Sequence, residues 1–142
     1  MKKWEGTKGG IYYLVDTIEK FEVFMEQAMK QAALAVDTET SGLDWVKSRA
    51  CGIVIGWGVE NNYYIPIDHK DHMTGVRWNT GQLDIEEVRD PLNRLLGKDN
   101  TVKIFWNAKF DLHALKVIGI EVGGVIHDAM ISWFLLDENA DH

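Results

Sequence analysis

Residues 33–43 read ALAVDTETSGL, and this stretch decides the fold class. The apolar run at residues 33–36 is typical of a short buried strand, and it ends in the acid Asp37. Residues two positions apart on a strand point the same way, so the carboxylates of Asp37 and Glu39 are expected to project together. A divalent cation relieves the repulsion between two such anions, and oxygen-only ligands favour Mg²⁺ or Mn²⁺. An isolated Asp-x-Glu pair is more often a solvated acidic turn, so other signals must support a metal site.

Strands and helices alternate around this stretch. The turn at residues 60–62 joins two apolar runs and predicts a β-hairpin, and Asp16 and Asp84 each open a helical pattern. Pro91 is expected to kink or split the second helix. The predicted elements are strands at 11–15, 33–37, 50–58, 63–67, 101–105 and 122–126, and helices at 16–32, 84–97, 108–117 and 129–136. They predict an α/β fold, a mixed central β-sheet with an early antiparallel hairpin and flanking helices.

A second polar group follows the strand predicted at residues 101–105. Asn107 begins the next helix, which places Asp111 in its first turns, where the helix dipole favours a carboxylate that could also reach an adjacent strand end. The alternative is that Asn107 only caps the helix and that Asp111 interacts with its N-terminus. Both roles are compatible, and the residues alone leave them open.

Composition restricts the function classes. A chain of 142 residues that is 46% hydrophobic with two prolines predicts one globular domain. Its apolar runs are too short for a membrane span, and the lone Cys51 fits a reducing compartment, hence a cytoplasmic location. The net charge of −7 argues against a protein that grips DNA by itself with high affinity. It is compatible with a nuclease whose metal ions carry the positive charge.

Several other features are interpreted as structural. The loop at residues 68–72 contains two histidines and two aspartates, but nothing aims them at one ion, so a solvated loop is predicted. Among the tryptophans, Trp57, Trp106 and Trp133 are predicted to be core, and Trp45 and Trp78 are predicted to be exposed.

The ordered motifs resemble a known enzyme family. Asp37–Glu39 and Asn107–Asp111 are similar to the first two signatures of the DEDD (DnaQ-like) exonuclease superfamily, Asp-x-Glu and Asn-x-x-(Phe/Tyr)-Asp. The longer matches at residues 35–44, 64–67, 107–111, 127–130 and 135–137 resemble the proofreading 3′→5′ exonuclease domain of family A DNA polymerases, in its phage-like form. This resemblance covers residues 33–137 and implies an RNase H-like fold and two-metal-ion hydrolysis of 3′-terminal nucleotides.

The resemblance also implies residue roles. Asp37 would bridge two Mg²⁺ or Mn²⁺ ions about 3.5–4 Å apart. Glu39 would bind the ion that activates water, and Asp111 would help to hold the other. The substrate-binding positions that it implies are Thr40, Leu43, Asn107, Phe110 and His127. His127 would stack on a base, or is a partly exposed histidine before a helix cap.

The family has a third signature, Tyr-x-x-x-Asp or His-x-x-x-Asp, which is expected beyond residue 142. Residues 1–142 are therefore interpreted as the N-terminal portion of one exonuclease domain, incomplete at the C-terminus. We expect weak metal binding and slow hydrolysis by this portion alone, and exposed apolar surface that favours self-association. The expected partners are the 3′ end of single-stranded DNA and the rest of a DNA polymerase chain, which would carry the third signature and the polymerase domain.

Two alternatives share the same motifs. An RNase D-like RNA 3′-5′ exonuclease would use the same acids and metals, and would differ in accepting the 2′-hydroxyl. A catalytically inactive DEDD-fold scaffold would explain the absence of the third signature within residues 1–142. A scaffold has no physical need for clustered like charges, which favours the enzyme.

Overall fold

A computed structural model describes residues 3–5, 9–42, 44 and 48–137. In this part of the chain, the strands form one mixed sheet and helices pack on it. The strands are β1 (Lys3–Glu5), β2 (Ile11–Leu14), β3 (Ala33–Thr40), β4 (Ala50–Gly56), β5 (Asn62–Pro66), β6 (Val102–Phe105) and β7 (Ile126–Asp128). The helices are α1 (Ile18–Ala28), α2 (Ile85–Leu96), α3 (Ala108–Val117) and α4 (Ala129–Leu136).

The sheet confirms the predicted fold class. Its strand order is β1-β2-β5-β4-β3-β6-β7. β4 pairs antiparallel with both β3 and β5, as the predicted hairpin requires, whereas β6 and β7 add in parallel on the other side of β3. β1 was not predicted, and it pairs antiparallel with β2 at the edge. Because β3, β5, β6 and β7 all run the same way, their C-terminal ends meet at one edge of the sheet.

One face of the sheet carries the core. Along β3, Leu34 and Val36 are buried whereas their neighbours Ala33, Ala35 and Asp37 are exposed, as expected for a strand with one covered face. Helices α1, α2 and α3 contribute their apolar residues to the same cluster as these two side chains. Its fully buried large side chains include Phe24, Phe105, Ile53, Ile55, Ile65, Leu92, Leu95 and Leu96.

The helix α2 corrects one expectation. Asp84 caps it by accepting a hydrogen bond from the Glu86 backbone N–H, as predicted. Pro91 lies inside the helix but does not split it, and α2 runs unbroken from Ile85 to Leu96. Proline removes one backbone hydrogen bond, at the Glu87 carbonyl, and Glu87 is exposed so water can satisfy that carbonyl. The buried apolar face of α2 holds both halves against the sheet.

Other element boundaries also differ from the prediction. β3 continues three residues past Asp37 to Thr40, because β4 pairs with it along that length. The last strand is β7 at Ile126–Asp128 rather than residues 122–126, and Val122 instead packs against the core cluster. α1 ends at Ala28, four residues before the predicted end.

The other face of the sheet is open, and α4 lies beside it. Asp128 caps α4 as predicted, but α4 has no buried residue. Its apolar side chains are exposed, namely Ile131, Trp133, Phe134, Leu135 and Leu136, so the prediction that Trp133 is core was wrong. The prediction of exposed apolar surface is therefore confirmed. None of the helices in the described residues has the length and apolar content to cross a membrane.

Candidate active site

Asp37 and Glu39 lie together on the open face of β3. Both side chains are exposed, while Thr38 between them is half-buried on the covered side. Their cross-strand neighbours on β4 are Val54 and Gly52, so β4 itself places no side chain directly beside Glu39. The register shifts between Glu39 and Thr40, an irregularity of the kind that re-aims side chains at a strand end.

Asp111, the fourth residue of α3, lies directly behind this pair. Its side chain is 3% exposed. The Oδ1 atom accepts two hydrogen bonds from Thr38, one from the backbone N–H at 3.0 Å and one from the hydroxyl at 2.6 Å. Burial raises the pKa of Asp111 to about 6; the Thr38 bonds oppose the rise, and the negative charge of Asp37 adds to it. Asp111 is thus close enough to Asp37 to sense its charge.

Asn107 occupies the N-cap position of α3, but its side chain makes no capping hydrogen bond. The capping alternative considered for Asn107 is therefore wrong. Its backbone is left-handed, with φ at 64°, a conformation that asparagine tolerates better than most residues. The cap is supplied instead by Asp128, which accepts hydrogen bonds from the N–H groups of Asn107 at 3.1 Å and Ala108 at 2.8 Å. The Asn107 side chain is exposed and available for another contact.

Asp128 ties two helix starts together. It also accepts hydrogen bonds from the Met130 and Ile131 N–H groups, at 3.0 and 3.4 Å, so one carboxylate serves α3 and α4. Burial would raise the pKa of Asp128, but the four backbone donors outweigh it and the net shift is downward. Sequence reasoning found this residue as the cap of α4 and missed its role in α3, because that contact spans about twenty residues.

A groove of about 430 Å³ runs along the open face and contains Asp37. Ala35, Val54, Ile104 and Trp106 line it. Trp106 was predicted to be core, and this was wrong, since the side chain is 55% exposed. Phe105 before it is buried, so the alternation along β6 turns Trp106 toward the open face. That alternation was the available signal, and the apolar neighbours of Trp106 masked it.

Tyr64 on β5 is a further residue that sequence reasoning did not place in the site. Its ring lies directly over Gly52, where any Cβ would collide with it. Gly52 is the cross-strand partner of Glu39. Burial raises the pKa of Tyr64, and the nearby Cys51 and Glu39 raise it further. The phenol therefore stays protonated, and its hydroxyl is hydrogen-bonded to Nε2 of His69.

The remaining predicted substrate positions are spread around these acids. Thr40 is half-buried at the end of β3, and its hydroxyl donates to the Gly42 carbonyl at 3.0 Å. Phe110 is half-buried on α3, one residue before Asp111. His127 pairs with Ile104 in the sheet register, and its Nε2 lies 3.3 Å from the Ser132 hydroxyl. Leu43 lies outside the described residues, as does Trp45.

The donor set suits a hard divalent cation, because three carboxylates supply only oxygen. Burial is the main cause of the raised pKa of Asp111, and the negative charge of Asp37 adds to it, so a cation at this position would be favoured. Within the described part of the chain, however, no three His, Cys, Asp or Glu side chains are already gathered around one point. Asp37 and Glu39 are exposed and can change rotamer readily, so the residues fit a metal after a side-chain adjustment.

Comparisons with known proteins identify the family. A family model described as 3′-5′ exonuclease, from family A DNA polymerases, matches residues 12–142. The chain is 33% identical to DNA polymerase I of Synechocystis over 91% of its own length, and 30% identical to that of Borreliella burgdorferi over 91%. It spans 13% of the length of either polymerase.

Solved structures give the same fold. Brucella melitensis NrnC with bound Mg²⁺ matches with a TM-score of 0.62 at 21% identity, over 92% of this chain and 55% of that one. Escherichia coli RNase D, an exoribonuclease, matches with a TM-score of 0.59 at 18% identity, over 82% of this chain and 27% of that one. The predicted RNase H-like fold is confirmed. The chain belongs to the 3′-5′ exonuclease domain family of family A DNA polymerases.

Proposed function

We propose that this chain forms part of the proofreading site of a family A DNA polymerase, where it hydrolyses the 3′-terminal nucleotide of single-stranded DNA. The observation that carries the proposal is the buried Asp111, held by two hydrogen bonds from Thr38 directly behind the exposed Asp37 and Glu39. A buried carboxyl with a raised pKa beside other acids is typical of functional sites rather than of stabilising ion pairs.

In this proposal Asp37, Glu39 and Asp111 hold two Mg²⁺ or Mn²⁺ ions. When bound, such ions activate a water molecule and stabilise the leaving 3′-oxygen. Thr38 fixes the orientation of the Asp111 carboxylate through Oδ1. Because the pKa of Asp111 is about 6, its proton leaves only near neutral pH. Protons therefore compete with metal at this residue, and metal binding is expected to weaken below about pH 6.

The substrate strand is proposed to enter along the groove beside Asp37. Thr40, Leu43, Asn107 and Phe110 are proposed to contact the terminal nucleotide, and His127 to touch a base. The exposed Asn107 amide is oriented by a backbone that Asp128 fixes, which supports a role in positioning the scissile end. Trp106 joins this set as a groove wall of apolar character.

The rest of a polymerase chain is the proposed partner of the open face. Five apolar residues of α4 are exposed, and such a patch marks a surface that another protein segment covers. This chain spans 13% of a related DNA polymerase I, so a further segment of such a polymerase is the partner that we propose. Where that partner is absent, the same patch would favour self-association.

A second candidate function is supported by the fold match to an exoribonuclease. An RNase D-like enzyme would use the same three acids but accept RNA. The greater similarity in sequence lies with DNA polymerases I, which favours DNA. Hydrolysis of matched 3′-labelled DNA and RNA strands separates the two, since only the 2′-hydroxyl differs.

The first test is Mn²⁺ binding by calorimetry to the wild-type chain, Asp37→Ala and the control Glu22→Ala. Glu22 is an exposed acid on α1, so its removal changes the net charge equally without touching the site. We expect binding in the wild type and the control, and its loss in Asp37→Ala. Equal binding in all three would contradict the proposed metal site.

A second test measures release of the 3′-terminal nucleotide from labelled single-stranded DNA in Mg²⁺. Loss of a residue that only hydrogen-bonds to a metal ligand commonly costs about 10–100-fold, so Asp111→Ala, which removes a proposed ligand itself, should lower the rate by at least about 100-fold. Adding a polymerase segment that carries the third signature should raise the wild-type rate. If it leaves the rate unchanged while it binds, the chain is a scaffold.

A further inference from the structure

We propose that Trp78, stacked on His69 in the loop after β5, is a nucleobase-stacking site that binds the substrate strand at a position distant from its scissile end. This inference rests on the proposed nuclease function and adds a binding site to it. Arg49 and Lys70 are proposed to neutralise the phosphates next to the stacked base.

The aromatic surface is already formed. The rings of Trp78 and His69 have centroids 5.3 Å apart and an interplanar angle of 23°, so they are stacked. Trp78 is 50% exposed, which leaves ring surface in contact with solvent. An exposed indole plane attracts any base by stacking, because every base has a π-face. A purely structural tryptophan would bury most of its surface instead.

The loop that carries Trp78 is fixed by polar contacts, although residues 70–81 are exposed. The backbone N–H of Trp78 donates to the His69 carbonyl at 3.0 Å. Gln82 joins both residues: its amide donates to the Trp78 carbonyl at 2.6 Å and to the His69 carbonyl at 3.2 Å, and its Oε1 accepts from the His69 N–H. Arg77 donates to the carbonyls of Ile67 and Leu83, which anchors the loop to the core. A surface held this way loses little freedom when a ligand binds.

A continuous line of contacts connects this surface to the acids. The Tyr64 hydroxyl is hydrogen-bonded to Nε2 of His69. The Tyr64 ring crosses over Gly52, which pairs with Glu39. The path from Glu39 to β5 spans two strand spacings, about 10 Å. A single-stranded DNA molecule whose 3′ end lies at Asp37 and Glu39 could therefore also reach Trp78.

Charge at this edge also suits a phosphate backbone. A cavity of about 580 Å³ is lined by Arg49, Lys70, His69 and His72, and also by the acids Asp68 and Asp71. Asp68 lies against Arg49 and Arg77, and Lys70 is 4.0 Å from it. Arg49 and Lys70 keep about 40% of their side chains exposed, so they can also face solvent phosphates. Local cations matter in a chain of net charge −7, because phosphate contacts dominate affinity for nucleic acid.

The test is fluorescence anisotropy of labelled oligothymidylate at low salt, with Ca²⁺ in place of a catalytic ion. We expect Trp78→Ala to weaken binding by about tenfold and Trp78→Phe to restore most of it. The control is Val23→Ala, because Val23 is 49% exposed and lies on α1, which packs on the covered face of the sheet. Lys70→Gln should reduce the slope of log affinity against log salt by about 0.7, the value for one phosphate contact on a single strand.

An abasic scan of the oligonucleotide identifies the stacked base. In the wild type, one internal abasic position should weaken binding, and that penalty should disappear in Trp78→Ala. A penalty that persists in Trp78→Ala, or equal affinity of Trp78→Ala and wild type, would overturn the stacking site. If Asp37→Ala then still abolishes hydrolysis, the exonuclease function stands without it. If the wild type binds no oligonucleotide, both proposals fail together.

Discussion

Asp111 and Asp128 both lie near the N-terminus of a helix that follows a strand, yet their surroundings are opposite. Asp111 is buried, accepts two hydrogen bonds from Thr38, and is close to the charge of Asp37. Asp128 is half-buried and accepts four backbone N–H groups. The pKa of the first is raised to about 6, and the pKa of the second is lowered.

The difference separates a structural carboxylate from a functional one. Ionised Asp128 lowers the free energy of the folded state because it satisfies helix N–H groups that otherwise have no partner. Ionised Asp111 raises it because burial and a like charge oppose ionisation. A buried carboxyl whose ionisation destabilises the fold, placed next to other acids, is typical of a functional group, which supports a role in metal binding. The two sites should therefore respond to mutation with opposite signs.

The largest expected effect on stability is at Asp128. Replacing Asp128 by Ala removes the acceptor for four backbone N–H groups at two helix starts, and we expect a loss of about 3 kcal/mol in the free energy of unfolding. Urea unfolding followed by circular dichroism measures it. Since the pKa of Asp128 is lowered in the folded state, this stabilisation is present above the unfolded pKa and fades as pH falls below it.

Asp84→Ala is the matched control for that experiment. Asp84 also caps a helix, but its side chain accepts one N–H, from Glu86 at 3.0 Å. Asp84→Ala should lower the free energy of unfolding by about 1 kcal/mol. If Asp128→Ala costs no more than Asp84→Ala, the tie between α3 and α4 does not contribute to stability and the comparison fails.

Asp111→Asn should have the opposite effect and increase the free energy of unfolding by about 2 kcal/mol at neutral pH. The neutral amide can still accept the Thr38 bonds but has no charge to bury. Between the ordinary pKa of 3.8 and about 6, the folded state binds more protons than the unfolded state, so wild-type stability falls as pH rises through this window. The gain should therefore be complete above about pH 6 and absent below about pH 4.

Urea titrations at several pH values check this, with Glu22→Gln as a control that removes a charge from an exposed position. A gain that does not change with pH would mean that burial of the charge is not its origin. Mn²⁺ should stabilise the wild type more than Asp111→Asn, because an ion that binds only the folded state adds to its stability.

The strand pattern at residues 33–39 shows how much could be predicted. Alternation predicted that Asp37 and Glu39 project together, and the structure has them on the open face. The same alternation exposes Ala33 and Ala35, which the prediction of a buried strand had not anticipated. The hairpin between β4 and β5 followed from its turn residues in the same way. Such local signals determine which face of an element each side chain occupies.

Contacts between distant residues could not be predicted. Asn107 is a good capping residue by type, but Asp128 takes that role from the neighbouring strand. Trp106 has apolar neighbours, yet its position after buried Phe105 turns it outward. The Tyr64 ring can lie over residue 52, the cross-strand partner of Glu39, only because that residue is a glycine. Each depends on how strands meet at one edge, which a single sequence does not specify.

The smallest expected effect concerns Thr38, which makes both hydrogen bonds to Asp111. Thr38→Val keeps the backbone donor and the shape but removes the hydroxyl donor at 2.6 Å. Because that bond lowers the pKa of Asp111, the pKa should rise further above 6, and stability at neutral pH should fall by about 1 kcal/mol. Carbon-detected NMR titration of the Asp111 carboxyl measures the pKa directly.

Thr40→Val is the control, since that hydroxyl donates to Gly42 and not to Asp111. An unchanged or lowered pKa in Thr38→Val would show that the hydroxyl does not stabilise the ionised carboxylate, and the difference between the two aspartates would then rest on burial and on Asp37 alone.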